Sequence, residues 1–264
     1  MKNSSSYWLG NNKNVSLQRV NAVSFYTVDE LKKTLELISE QEKRDHRHIA
    51  TQQELFMFSD YSPGSCFFLP DGAHIYNKLL SFIRDQYSLN GFSEVITPNL
   101  FNLQLWKTSG HYKNYKENLF LIKNDKEILG LKPMNCPAHC LMYNYKVRSY
   151  KELPIRFADF GALHRNEVTG ALSGLTRVRR FQQDDAHIFC TDDQILNEIM
   201  TQLKMLDYIY GVFNFKYKLL LSTRPDKYLG KIELWNKAEN SLKQALTNFG
   251  KEFEINEGDG AFYG

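Results

Sequence analysis

The sequence predicts an α+β fold, an antiparallel β-sheet flanked by helices, and three observations carry that expectation. Two apolar-aromatic stretches, Ile155 to Leu163 and Val178 to Phe189, flank a polar, glycine-containing turn from Glu167 to Gly174, which reads as two antiparallel strands joined by a long loop. A second pair, Glu117 to Ile122 and Glu127 to Leu131, brackets Asn124-Asp125 and reads as a hairpin. Strands that mostly neighbour each other in sequence, with helices interspersed, belong to the α+β class.

In chain order, Thr27-Val28-Asp29-Glu30 is a capping-box pattern that opens a helix. Leu31, Leu35 and Ile38 form its apolar stripe, and the charged run from Lys43 to His48 continues it as a solvated end, not a basic patch. Residues Ser59 to Asp71 are turn-rich, and Ile75, Leu79, Phe82 and Ile83 then space a second amphipathic helix. Phe92 to Thr97 is a strand ending at Pro98. Thr191 to Gly211 is a helix with a Thr191/Gln194 capping box, Tyr217 to Ser222 a strand, Ile232 to Phe249 a helix and Glu252 to Ile255 a short strand.

Composition agrees with a globular protein: 264 residues, 42% hydrophobic and 14% aromatic. A formal charge of +3 is too small to argue for nucleic acid by itself, and no apolar run approaches the ~20 residues of a membrane span. Cys66, Cys136, Cys140 and Cys190 read as reduced thiols in a chain of this size. The first 28 residues contain Lys2, Lys13 and Arg19 but no acid, with many Ser and Asn; such a leader is either an organellar transit peptide or an untargeted N-terminus.

The chemistry concentrates between Pro154 and Cys190, where Arg165, Glu167, Arg177, Arg179 and Arg180 stand beside Asp184, Asp185 and His187. Strand alternation places Arg165 and Glu167 on one face, and Gln183, Asp185 and His187 together on one face of the second strand. Arginines at one end and carboxylates at the other suit a ligand with phosphates at one end and an amine or hydroxyl at the other; the plain alternative is a solvated hairpin. Cys136, His139 and Cys140 lie close in sequence, but a structural zinc site wants four ligands in paired spacings and no second pair follows. Taken singly, each is a buried thiol or a satisfied imidazole.

The element Leu163-His164-Arg165-Asn166-Glu167 resembles motif 2 of class II aminoacyl-tRNA synthetases. The runs LKPMNCPAHC (Leu131 to Cys140), HRNEVTGALSGLTRVRRFQQDDAHIFC (His164 to Cys190), LSTRPDKYLG (Leu221 to Gly230) and GDGAFYG (Gly258 to Gly264) are similar to the threonyl-tRNA synthetase family, in its order and spacing. The resemblance covers roughly Arg44 to the end. It implies an incomplete class II catalytic core that threonylates tRNA(Thr) using ATP, Mg2+ and L-threonine; the alternative is a non-catalytic, synthetase-like RNA-binding or regulatory protein. By the same resemblance, Arg165 holds the α-phosphate as the catalytic arginine, Glu167 accepts from the adenine amino group, Arg177 reaches the distal phosphates and Phe181 stacks on adenine. Met134, Gln183, Asp185 and Tyr263 hold threonine, with Asp185 on its hydroxyl. Cys136 and His187 match two of three zinc ligands; the third, a histidine, is expected downstream of Gly264, and His139 and Cys140 are left as packing residues. Three protein ligands leave positions for the amino group and hydroxyl of threonine.

Also implied are a homodimer formed through the motif 1 helix and strand before Pro98, and three regions: a leader 1–28, a linker helix and turn-rich segment 29–71, and a partial catalytic domain 72–264. Motif 3 and the anticodon-binding domain are expected to be missing from this stretch. The immediate start of the catalytic region, with no room for an editing domain, resembles mitochondrial forms, so the matrix is the expected location and the cytoplasm the alternative.

Overall fold

The computed structural model describes residues 2–10 and 13–263, in two compact units, 1–57 and 58–264. In the first, β1 (Lys2–Tyr7) and β2 (Ser16–Asn21) pair as an antiparallel hairpin within the expected leader. The helix α1 (Val28–Lys43) starts where Thr27 caps it, its hydroxyl accepting the Glu30 amide at 3.2 Å. The Glu30 carboxylate takes the Tyr26 amide at 3.2 Å and not that of Thr27, so the box closes on one side only. The charged continuation of α1 is corrected: the chain breaks at Arg44 and a separate helix, α2 (His46–Gln52), follows. Asp45 causes the break, because its carboxylate caps the new helix by accepting the Arg47 amide at 2.8 Å. Two-residue β3 (Phe56–Met57) closes this unit.

The second unit opens with β4 (Phe67–Phe68) and α3 (Pro70–Leu89), which carries proline in its first turn, where a missing N–H costs nothing. Then come β5 (Ser93–Glu94), β6 (Leu100–Asn102), α4 (Leu103–Thr108), α5 (His111–Tyr115), β7 (Leu121–Lys123), β8 (Ile128–Leu131) and α6 (Cys136–Tyr143). The motif 2 region supplies β9 (Ile155–Asp159), β10 (Ala162–His164), β11 (Arg180–Gln182) and β12 (Asp185–Phe189). The chain continues through α7 (Ile195–Val212), β13 (Leu219–Ser222), α8 (Ile232–Phe249) and β14 (Phe253–Asn256).

The α+β class is borne out, with antiparallel pairing in most ladders. β9 pairs with β12 (Ile155 opposite Phe189, Asp159 opposite Asp185) and β10 with β11 (Ala162 opposite Gln182, His164 opposite Arg180). Both pairs share one register, so the predicted hairpin is a single ribbon interrupted at Phe160-Gly161 and Gln183-Asp184. The hairpin β7–β8 turns at Asn124, whose side chain accepts the Lys126 and Glu127 amides, and β6 extends it on the far side of β8. Two pairings are parallel. β5, shorter than the expected strand, lies along β9, and β13 and β14 align parallel because α8 crosses between them. The Thr191/Gln194 box forms by half: the Thr191 amide donates to the Gln194 side chain at 3.0 Å, and α7 starts only at Ile195.

Three apolar clusters anchor the second unit. Tyr87, Phe92, Ala158, Phe160, Met205 and Ile209 pack α3 and α7 on β9. Leu203, Leu221, Ala245 and Leu246 join α7 and α8 to β13, and Leu103, Trp106 and Leu119 close α4 over the β7–β8 hairpin. Burying a side chain of this size gains about 1.5–3 kcal/mol, so the ribbon β9–β12 rests on a rigid floor.

Candidate active site

The two ends of the ribbon carry different chemistry. At the β10–β11 end, the Arg165 amide continues the ladder by donating to the Arg179 carbonyl at 2.8 Å. Its Nε donates to the Pro133 carbonyl at 3.3 Å, and its guanidinium lies 4.9 Å from the centroid of the Phe181 ring. Arg165 thus covers one side of the aromatic expected to stack on adenine. Glu167 does not share a strand face with Arg165, because β10 stops at His164 and the Glu167 amide turns back onto the Arg165 carbonyl at 2.8 Å. Its carboxylate accepts from Arg177 Nε at 3.0 Å, joining a largely buried acid to a mostly exposed arginine. Arg179, one of the clustered arginines, is structural: its Nε donates to the Glu167 carbonyl and its Nη2 to Thr169, while its amide donates to the Gly64 carbonyl.

At the β9–β12 end, Asp185 and His187 stand two residues apart on one strand, on the same face, as the alternation requires. Gln183 lies outside the named strands and is exposed. The start of α6 faces this strand. Asn135, wholly buried, donates from Nδ2 to Asp185 at 3.0 Å, and His139 Nδ1 lies 2.8 Å from His187 Nδ1. Cys136 sits between those two contacts, one helical turn before His139 and on its side of the helix. Burial, then Cys140 and Asp185, push the Cys136 thiol up to about 11, while burial lowers His187 against the opposing pull of Asp185. A thiol held protonated and an imidazole held neutral are donors of the kind zinc takes, the metal displacing the thiol proton. Among the described residues, however, no three His, Cys, Asp or Glu gather as a metal-holding group. The donor set therefore fits zinc in kind and is short in number.

His139 is not mere packing, since its ring is hydrogen-bonded as well as edge-on to His187; Cys140 is exposed. Met134 packs against the Leu103–Trp106–Leu119 cluster. The Tyr263 ring lies tilted against His111, with ring centroids 5.5 Å apart. Burial raises its hydroxyl, with Cys136, Tyr115 and Asp185 adding to the rise and Arg165 opposing it. His111 itself was overlooked among its aromatic neighbours. It is 2% exposed, with Nδ1 2.8 Å from Ser109 Oγ and Nε2 without a partner.

Residues 115–258 match the model of the tRNA synthetase class II core domain (G, H, P, S and T). The chain is 59% identical to the cytoplasmic threonine–tRNA ligase of Saccharomyces cerevisiae and 57% identical to mitochondrial threonine–tRNA ligase 1 of Arabidopsis thaliana, each across all of its 264 residues. It spans only 36% and 37% of those relatives' lengths. The crystal structure of the RNA binding domain of threonyl-tRNA synthetase from Cryptosporidium parvum superposes with a TM-score of 0.80 at 57% identity, covering 84% of this chain and 56% of that one. With the family model matched over more than half its length, the chain belongs to the class II tRNA synthetase core family (G, H, P, S and T).

Proposed function

We propose that the protein of which these residues form part is a threonine–tRNA ligase, condensing L-threonine with ATP and passing threonine to tRNA(Thr). The observation that carries this reading is the single ribbon presenting Arg165 and Phe181 at one end and Asp185 and His187 at the other. Arg165 holds the α-phosphate, a task suited to a planar guanidinium that stays charged and makes paired hydrogen bonds. Glu167 accepts from the adenine amino group once Arg177 swings away to the distal phosphates, where Mg2+ accompanies ATP. The remaining face of Phe181 stacks on the base.

Asp185, held by Asn135, accepts the threonine hydroxyl, with Gln183, Met134 and Tyr263 completing the pocket. Cys136 and His187 would be the residues of this chain that hold zinc, and the metal would supply a Lewis acid for the amino and hydroxyl groups of threonine. The carboxylate attacks phosphorus directly, so this chain contributes positioning and electrostatics and no covalent nucleophile. A homodimer through α3 and β5 and three regions at 1–28, 29–71 and 72–264 belong to the same proposal.

Relatives from both compartments align through residues 1–28. The mitochondrial matrix is the proposed location, with the cytoplasm as the alternative, and a fluorescent fusion showing only cytosolic signal overturns it. The proposal is tested by ATP–pyrophosphate exchange with the full-length protein and three amino acids. Threonine is expected to support the fastest exchange and serine a measurable rate, since losing one methyl costs only ~1–3 kcal/mol. Valine, which lacks the hydroxyl, is expected to support almost none. Equal rates with valine and serine defeat the hydroxyl-reading site, and no exchange with threonine defeats the ligase.

A further inference from the structure

Behind His187 lies a sealed line of polar side chains. His139 and Lys132 are 0% exposed, Asp159 is 1% exposed and Thr97 7%. Asp159 Oδ2 accepts the Thr97 hydroxyl at 2.7 Å and its amide at 3.2 Å, while Oδ1 accepts the Gly161 amide at 2.7 Å. The Lys132 ammonium donates to Thr97 Oγ1 at 2.8 Å and lies 3.5 Å from Asp159 Oδ2. The cluster leaves no room at Gly161, where a Cβ would meet Asp159 Oδ1 at 2.8 Å and Lys132 Nζ at 3.0 Å. His139 Nε2 stands 3.8 Å from Asp159 Oδ2, without a hydrogen-bond partner, and His139 Nδ1 is 2.8 Å from His187 Nδ1.

Two neutral imidazoles joined through their Nδ1 atoms share one proton, which leaves two arrangements. In the first, His187 carries the proton on Nδ1 and its Nε2 lone pair is bare; His139 then carries its own proton on Nε2, pointing it toward the carboxylate. In the second, His139 donates, its bare Nε2 lone pair meets the negative carboxylate, and the His187 Nε2 proton blocks any metal. The 3.8 Å separation is too long for a hydrogen bond, yet in an interior shielded from solvent the carboxylate, although paired with Lys132 at 3.5 Å, favours the first arrangement.

We propose that His139 and Asp159 are positioning residues that hold His187 in the tautomer whose Nε2 binds zinc. This rests on the zinc reading of His187 given above. It gives His139 the place that a hydrogen-bonded partner takes behind a metal-bound histidine, where mutation typically weakens metal binding by about tenfold to a hundredfold.

Two measurements on the full-length protein test it. Histidine-ring 15N NMR of the zinc-free protein, at alkaline pH where both rings are neutral and with His187→Ala to assign the signal, is expected to show His187 protonated on Nδ1. A ring protonated on Nε2 overturns the proposal, and this measurement stands even if the variants fail to fold. Zinc affinity by chelator competition is expected to fall about tenfold to a hundredfold in His139→Ala. It should recover in part in His139→Asn, whose amide can accept at the Nδ1 position. Unchanged affinity in His139→Ala, while His187→Ala loses zinc, overturns the positioning role and leaves the zinc reading intact. Retention of zinc by His187→Ala overturns the zinc reading itself.

Discussion

Around Asp159 the polar side chains are sealed from water and each oxygen of the carboxylate is engaged, with Lys132, Thr97 and the Gly161 amide crowded onto one acid. Around Glu167, at the other end of the same ribbon, a mostly exposed arginine holds the carboxylate through a single contact at 3.0 Å. The difference matches the two tasks proposed for these ends. On the proposed reading, a pocket that separates threonine from valine would need fixed geometry before the ligand arrives. Likewise, an arginine and a glutamate each claimed by a different part of ATP would have to part for the nucleotide to bind, which a weak ion pair allows.

The comparison breaks most visibly at Asp159. Asp159→Asn leaves the Lys132 charge buried and unpaired, a loss expected to cost about 3–5 kcal/mol, read as a lower denaturant midpoint. Acid should act the same way. Burial works to raise the Asp159 pKa, but the His139 ring, Thr97, the Gly161 amide and the Lys132 charge outweigh it and hold the carboxyl well below the ordinary range. Its contribution is therefore complete above the unfolded carboxylate value of about 3.9 and is lost as pH falls through and below it. A denaturant midpoint that Asp159→Asn leaves unmoved contradicts the sealed-network account.

Next in size, Arg165→Ala should leave the fold intact and reduce threonine-dependent ATP–pyrophosphate exchange by about 10²–10³-fold, the effect of removing one preorganised donor. Near-normal exchange in that variant places the α-phosphate elsewhere. The smallest effect belongs to Arg177→Ala. An ion pair this exposed contributes at most about 1 kcal/mol, so stability should stay nearly constant. The KM for ATP should rise several-fold while kcat changes less. A stability loss as large as that of Asp159→Asn erases the contrast between the two ends.

Local signals made much of the fold legible. Asn124 announced its turn, Ile232 to Phe249 emerged with the bounds of α8, and the apolar stretches around Glu167 to Gly174 paired as expected. The failures came where a nearby group competed or a distant one decided. Asp45 sits inside a helical charge pattern, and only its capping bond to Arg47 shows that the helix restarts there. The parallel partner of β5 lies more than sixty residues away in β9, beyond any periodicity. At the site, residue types named Arg165, Asp185 and His187, but a histidine at helical spacing after Cys136 carries no mark of meeting His187 across 48 positions. Lys132 and Asp159, 27 positions apart, likewise carry no sequence mark of meeting in the interior.

The shared register of β9–β12 and β10–β11 makes the ribbon a ruler. Phe181 and Asp185 are four residues apart, roughly 13 Å of strand at ~3.3 Å per residue. On the proposed reading, the gap between a nucleotide base at Phe181 and an amino-acid side chain at Asp185 is thus counted in peptide units. Length changes should be tolerated very unevenly along this segment. Residues added at the tip, between Thr169 and Thr176, lengthen a loop and leave the count alone. One residue added between Phe181 and Asp185 shifts every downstream side chain to the opposite face, removing Asp185 and His187 from the pocket together while barely changing composition or charge.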